Sequence, residues 1–313
     1  MSVPHTEAGA PDALDTLAGA LWRPLGAQGV YARTGLFETV LEQLSDLLST
    51  RADPSAEVLR FPPVMSRLQL EKSGYLRSFP QLLGGVCVLH GGDAELHAAA
   101  ERCERGADWT AAFAASDLVL TPAACYPLYP LLGARGPIPA GGLCFDVAAD
   151  CFRHEPSGAL ARLQSFRMRE FVRIGTAQQV VAFRERWMGE GRRLADALAL
   201  PCTVSPANDP FFGRTGQVLA VSQLQQSLKF ELLVPLNPGA APTACMSFNY
   251  HRDYFAQAWN LQMSGSEAVH TACVAFGLDR LALALFAVHG LDPRGWPAHV
   301  RQVLAFAERG SPT

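Results

Sequence analysis

Residues 151–176, CFRHEPSGALARLQSFRMREFVRIGT, are the most informative stretch of the chain. Two strand-like segments flank a Gly/Pro/Ser loop, the pattern of an antiparallel hairpin. Its charge is unusual: Arg153, Glu155, Arg162, Arg167, Arg169, Glu170 and Arg173 stand among apolar neighbours. Alternate residues of a strand share a face, so Arg153 and Glu155 are expected to point one way. Phe166, Met168 and Glu170 should share a face on the returning strand. Arginines beside a carboxylate and an aromatic ring suit a nucleotide, because guanidinium grips phosphate bidentately and a ring stacks on a base. The same residues also suit a solvated sheet face crossed by ion pairs. The hairpin alone leaves both open.

Before the hairpin, Leu36 to Leu48 repeats apolar residues at helical spacing. Arg60 to Pro80 reads as turn, strand and loop, GVCVLHG (85–91) as a buried strand, and Asp93 to Ala115 as a helix. After it, Val180 to Leu200 is helical and a short helix falls near 215–227. LKFELLVPL (228–236) and TACMSFNYH (243–251) are consecutive strands, followed by helices at Asp253 to Leu261, Asp279 to Val288 and Pro297 to Arg309. Strands clustered this way favour an α+β fold over a doubly wound parallel sheet. Residues 1–30 form an expected flexible segment; the first 20 are rich in Ala, Gly and Pro.

Composition narrows the function. The 313 residues are 49% hydrophobic and 18% charged with net charge -3, an ordinary globular balance that excludes general disorder and gives no support to a broad basic nucleic-acid face. No apolar run reaches the roughly 20 residues of a membrane span. Met1 to Leu21 lacks the basic start and apolar block of a secretory signal, so a cytoplasmic location with no membrane partner is expected. The eight cysteines form no CxxC pair, which removes zinc fingers and thioredoxin-type sites and leaves small buried residues as the default. P-loop, GxSxG and HExxH patterns are absent. AFGLDRLALALFAVHG (275–290) is a glycine turn opening an amphipathic helix, in which Arg280 is either a phosphate clamp or an ordinary helix-start residue.

These segments together carry a resemblance. CFRHE…RLQSFRMREF resembles motif 2 of class II aminoacyl-tRNA synthetases, and FGLDRLALALF resembles motif 3, a Gly-x-x-Arg opening a helix. LRFPPVMSRLQLEKSGYLRSFP stands where the dimer-forming motif 1 belongs. The similarity runs from about residue 30 to the end and is nearest the seryl-type core, so 31–313 is expected to be a class II synthetase-like catalytic domain, an antiparallel sheet flanked by helices. The chain offers one short helix where seryl enzymes have a long tRNA-gripping arm. TPAACYPLYP and SFNYHRDYFAQAWN are similar to the amino acid:[carrier protein] ligases, truncated seryl-like enzymes that load a phosphopantetheine thiol instead of tRNA.

The resemblance implies roles residue by residue. Arg153 and Arg280 contact ATP phosphates and are the catalytic pair. Glu155 faces the adenine amino group, Phe166 stacks the base, and Arg162 with Leu163 reaches the distal phosphates or the base. Lys229 begins a strand flooring the ATP site, and Ala244, Cys245, Met246 and Ser247 align with the ATP-binding loop. Thr243 stands where the family has a metal-binding Glu, a departure that touches how Mg2+ is held. Cys125, Glu170 and Cys273 match zinc ligands, with Glu170 beside the substrate; their spacing alone does not show that they meet. The resemblance implies Zn2+, ATP with Mg2+, a small amino acid (glycine or alanine), a phosphopantetheinylated carrier protein and no tRNA. It also implies a homodimer through roughly Leu59 to Pro80. The helix near 215–227 is material added to the seryl-type core, read either as a carrier dock aided by Arg192, Arg193 and Arg214 or as a connector that packs on the core. The alternatives are a true seryl-like aminoacyl-tRNA synthetase and a catalytically silent regulatory paralogue.

Overall fold

The computed structural model describes residues 13–237 and 241–306. In chain order, α1 (Ala13–Leu21) leads into a two-stranded ribbon of β1 (Trp22–Pro24) and β2 (Tyr31–Arg33), then α2 (Gly35–Ser49). Next come β3 (Glu57–Phe61), β4 (Val64–Ser66), α3 (Arg67–Lys72), α4 (Tyr75–Ser78), β5 (Gly85–Leu89), α5 (Asp93–Glu104), β6 (Phe113–Leu120) and α6 (Leu128–Gly133). The central hairpin is β7 (Leu143–Phe152) and β8 (Ser165–Gly175), followed by α7 (Ala177–Ala197), β9 (Thr203–Pro206) and α8 (Gly213–Gln225). β10 (Lys229–Val234), β11 (Thr243–Arg252), α9 (Tyr254–Trp259), β12 (His270–Gly277), α10 (Leu278–His289) and α11 (Ala298–Val303) complete the order.

Seven strands form one sheet in the order β3-β7-β8-β12-β11-β10-β9, antiparallel throughout except for the parallel β3–β7 pair. This is the α+β architecture expected. The two faces of the sheet differ in chemistry. Directly paired residues share a face, and the register aligns Glu170, Ala275, Ser247 and Glu231 in one row and Val172, Cys273, Asn249 and Lys229 in the next. The opposite face carries Phe171, Val274, Phe276 and Phe248 into the main core beneath α2, α7 and α10. Trp187 of α7 meets Phe171 and Phe276 with ring centroids 5.0 and 5.8 Å apart. Each such side chain contributes roughly 1.5–3 kcal/mol on burial, and cutting Phe248 to Ala costs about 3–5 kcal/mol. A capping box holds the start of α7 to the hairpin's end: the Gln179 N–H donates to Thr176 Oγ1 (3.3 Å), and Gln179 Oε1 accepts from the Thr176 N–H (3.0 Å).

Four expectations are corrected. From Ala13 onward, part of the segment expected to be flexible is structured. Leu21 and Trp22 are buried in the main core, and Trp22 lies against Tyr31 and Phe37. Residues 1–12 and 307–313, the latter including Arg309 at the end of the last expected helix, lie outside the described residues. Arg60 to Pro80 is largely α3 and α4, because Ser66 caps the first turn by accepting from the Gln69 N–H. The helix expected over Asp93 to Ala115 stops at Glu104, and its tail becomes β6. Residues 85–89 do form a strand, but in a small sheet, β4-β6-β5, with Val88 and Leu89 exposed. Among the described residues no helix is long and apolar enough to cross a membrane.

Candidate active site

The polar face of the sheet floors a cavity of about 560 Å³. Cys125 enters it from the loop between β6 and α6, Glu170 from the middle of β8 and Cys273 from the middle of β12. Their ligand atoms lie within 4.8 Å of one another, and the residues are 4%, 1% and 2% exposed. Strand pairing joins Glu170 and Cys273 across 103 residues of sequence, and the loop after β6 brings in Cys125 from 45 residues before Glu170. The Cys125 N–H donates to Glu170 Oε1 at 3.0 Å. Burial pushes Glu170 above the usual carboxylate range, against hydrogen bonds from both cysteines. The Cys273 thiol is raised by its hydrogen bond to Cys125, by burial and by Glu170. For Cys125 the bond to Cys273 acts downward, but burial and Glu170 prevail and leave it at about 11. Three acids crowded in low dielectric ionise together only around a cation. Two sulfurs and one oxygen fit zinc, whose tetrahedral ligands stand about 3.6–3.8 Å apart, with the fourth position left open.

The nucleotide half of the cavity lies at the hairpin loop. β7 ends at Phe152, so Arg153 and Glu155 stand on the loop and not on alternating strand positions. That corrects the facing expected for them; Phe166, Met168 and Glu170 do share the cavity face. Arg153 donates through Nε to the Pro122 carbonyl at 3.1 Å and lies 5.4 Å from the centre of the Phe166 ring. Arg280 donates to the Ala161 carbonyl (2.8 Å) and the Ala244 carbonyl (3.0 Å). Burial, then repulsion from Arg153, holds Arg280 below the usual arginine range. Among the described residues neither Arg153 nor Arg280 forms an ion pair, so two half-buried cations face the cavity with carbonyls as their hydrogen-bond partners. Glu155 accepts from Arg162 at 2.6 Å. Leu163 lines the cavity, as do Ala244, Cys245 and Ser247. Burial pushes the Cys245 thiol up to about 12. Met246 borders the cavity but its side chain belongs to the main core.

Lys229 is present but already engaged. Its ammonium donates to Asp209 Oδ1 (2.6 Å) and lies 3.0 Å from Glu231 Oε1. Burial lowers Lys229, but Asp209 and Glu231 outweigh it and raise it above the usual lysine range. Burial acts upward on Asp209, and Lys229 with the Gln223 amide holds it below the usual range. Sequence reasoning missed Asp209, Glu231, Asn249 and His251. The period-2 alternation Glu231–Lys229 and Ser247–Asn249–His251 was the available signal. Desolvation pulls His251 down to about 4, leaving the ring neutral at physiological pH. The other hairpin arginines lie elsewhere: Arg169 is buried on the opposite face with Asp146, and Arg173 donates to the Gly141 carbonyl.

This arrangement has the class II aminoacyl-tRNA synthetase fold. The seryl-tRNA synthetase of Methanopyrus kandleri, solved with A. aeolicus tRNASec, superposes with a TM-score of 0.80 over 98% of this chain and 64% of that one, at 21% identity. The Pyrococcus horikoshii seryl-tRNA synthetase complexed with ATP gives 0.67 over 96% and 64%, at 15% identity. The chain thus spans 64% of each of these solved chains. No protein-family model matches the sequence. Two curated proteins of Bradyrhizobium diazoefficiens, amino acid–[acyl-carrier-protein] ligases 2 and 1, are each 58% identical over 96% of this chain, and the matches cover 91% and 92% of those proteins. The chain belongs to the amino acid–[acyl-carrier-protein] ligase family. A type-2 serine–tRNA ligase of M. kandleri is 29% identical over 57% of this chain and 36% of its own length.

Proposed function

We propose that the chain activates glycine or alanine with ATP and Mg2+ to the aminoacyl adenylate and passes the aminoacyl group to the phosphopantetheine thiol of a carrier protein. The observation that carries this reading is the 58% identity to two carrier-protein ligases across almost the whole chain. Arg153 and Arg280 bind the phosphates and offset the charge that grows on the phosphoryl oxygens as the amino acid carboxylate attacks the α-phosphorus; diphosphate leaves. Phe166 stacks the adenine and Glu155 takes its amino group. Arg162, released from Glu155, reaches the distal phosphates. Cys125, Glu170 and Cys273 hold zinc, which supplies a Lewis-acid site for the substrate amino group. The wall beside them is thick with rings: Tyr129 stacks on Phe255 at 3.9 Å and Tyr126 meets Phe255 edge-on at 5.6 Å. We read the amino-acid end of the site as one for a small side chain, where one methylene is worth roughly 1–3 kcal/mol.

The carrier docks on α8. Phe212, at its N-cap, and Val218, Leu219, Val221 and Leu224 on the helix are exposed apolar residues. Two copies pair through the region Leu59 to Pro80, where Leu68 and Leu76 are exposed. All eight cysteines are unpaired, which supports a reducing compartment, the cytoplasm. The cavity arginines speak against a silent paralogue, and 58% identity to two carrier-protein ligases favours carrier loading over tRNA charging. Amino-acid-dependent exchange of pyrophosphate into ATP tests the activation step. Glycine or alanine should drive it best; serine or a larger residue outperforming both overturns the reading.

A further inference from the structure

Beyond its three acids, the metal centre has supporting groups that no role assigned so far explains. The Cys273 sulfur faces two nitrogens: Asn249 Nδ2 donates to it at 3.4 Å, and His251 Nε2 lies 3.7 Å away. Among the described residues no N–H is directed at the Cys125 sulfur, so the two thiols are supported unequally. On the far side of the His251 ring, two hydroxyls converge on Nδ1, Thr271 Oγ1 at 3.0 Å and Tyr129 at 3.5 Å. The ring is wedged edge-on against Phe255, centroids 5.1 Å apart. A neutral imidazole carries a single N–H. Hydroxyls are able to donate, whereas a thiolate only accepts. The tautomer that satisfies every group therefore puts the proton on Nε2 and the lone pair on Nδ1.

We infer that His251 is a positioning residue of the metal centre: it donates its Nε2–H to the Cys273 sulfur, and the Thr271 hydroxyl, donating to Nδ1, fixes that tautomer. Such outer partners orient a metal ligand and tune its charge. The N–H withdraws electron density from the sulfur, which resists protonation of the thiolate and limits how much charge it passes to the metal. Asn249 shares this duty, and Thr271 acts only through the ring. The inference rests on the zinc reading of Cys125, Glu170 and Cys273.

The test is metal binding, measured apart from catalysis. Purified wild-type protein is titrated with zinc against a chromophoric chelator, and a cobalt-loaded sample is scanned for its sulfur-to-cobalt charge-transfer band. His251→Leu should weaken zinc binding about 10–100-fold and move the band to lower energy, because the sulfur becomes more electron-rich. His251→Gln, whose amide again offers an N–H, should recover much of both. Thr271→Val, nearly isosteric and remote from the metal, should shift the band in the same direction by less, and it keeps the test sound if His251→Leu fails to fold. Unchanged affinity and an unchanged band in either His251→Leu or Thr271→Val, with wild type binding about one zinc per chain, overturn the role of His251. A wild-type protein that binds no zinc overturns the zinc reading itself and this inference with it.

Discussion

The buried arginine of β8 and the two cavity arginines, one from the hairpin loop and one from α10, keep opposite company. On the core side, Arg169 is 1% exposed and bidentate to Asp146, with Nε–Oδ1 at 2.8 Å, and it also donates to the Ser45 carbonyl. On the cavity side, the hydrogen bonds of Arg153 and Arg280 go to carbonyl oxygens and to no carboxylate. A guanidinium that meets a carboxylate inside the protein has its charge balanced by the fold. One that meets only carbonyls is balanced from outside, by an anion such as a phosphate chain. The ion-paired reading of the hairpin holds for Arg169, which is buried and not solvated as expected, and the carbonyl-only hydrogen bonding of Arg153 and Arg280 supports the proposed nucleotide site.

The sharpest way to break this contrast is to cut Arg169. Arg169→Ala leaves buried Asp146 with the half-exposed Arg60, 3.2 Å away, as its remaining cation, and chemical unfolding should show a loss of about 3 kcal/mol. Specific exchange activity of the folded protein should stay within a few fold. Next in size, Arg153→Ala and Arg280→Ala should each slow pyrophosphate exchange about 10²–10³-fold, as removal of a single oxyanion donor does elsewhere. Their melting temperatures should hold or rise. A large stability loss in either would place it with Arg169 instead.

Asp279 extends the ion-paired set toward the cavity, pairing with Arg33 and, at 3.4 Å, with Arg167 of the hairpin. It is buried, accepting from Arg33 Nε at 2.6 Å and from the Arg167 N–H at 2.5 Å, so it pins the ribbon and β8 to the first turn of α10, one residue before Arg280. Asp279→Asn should cost about 1.5–3 kcal/mol in unfolding experiments, with a smaller drop in exchange rate as Arg280 loses its anchor.

The smallest effect is a pH response from Lys229 and Asp209, a cavity cation that does have acid partners. Asp209 is held below its ordinary value, so its contribution is full above about pH 4 and fades as pH falls through the lower folded value. Lys229 is raised, so its contribution is full below about pH 10.4 and fades as pH rises through the higher folded value. Lys229→Met should abolish the alkaline fade and weaken the acid one, because burial then pushes Asp209 upward without its main opposing charge.

Much of this was legible in the chain. Helical spacing gave α2 to within a residue at each end, and the hairpin and the α10 start gave the fold through their resemblance to two known motifs. The errors have physical causes. Residues 85–89 are apolar without being buried, because their small sheet offers that surface outward. Arg153 and Glu155 alternate in sequence, but a proline follows at 156 and the strand stops at Phe152. No spacing rule joins Cys125, Glu170 and Cys273: the β8–β12 register sets Cys273 opposite Val172 and Ala275 opposite Glu170, and the loop after β6 carries Cys125 to them. His251 ends a polar alternation with Ser247 and Asn249 and Asp209 stands in a loop, and the significance of both lies in what the fold brings beside them.

The most direct measurement offers the enzyme a choice of acceptor. Labelled glycine, ATP and Mg2+ are incubated with the chain and either a phosphopantetheinylated carrier protein or total tRNA. The account predicts label on the carrier in a hydroxylamine-sensitive thioester, none on tRNA, and loss of transfer without loss of pyrophosphate exchange when Gln217–Ser227 is replaced by a Gly/Ser linker. Label on tRNA, or exchange that never leads to a loaded carrier, would contradict it.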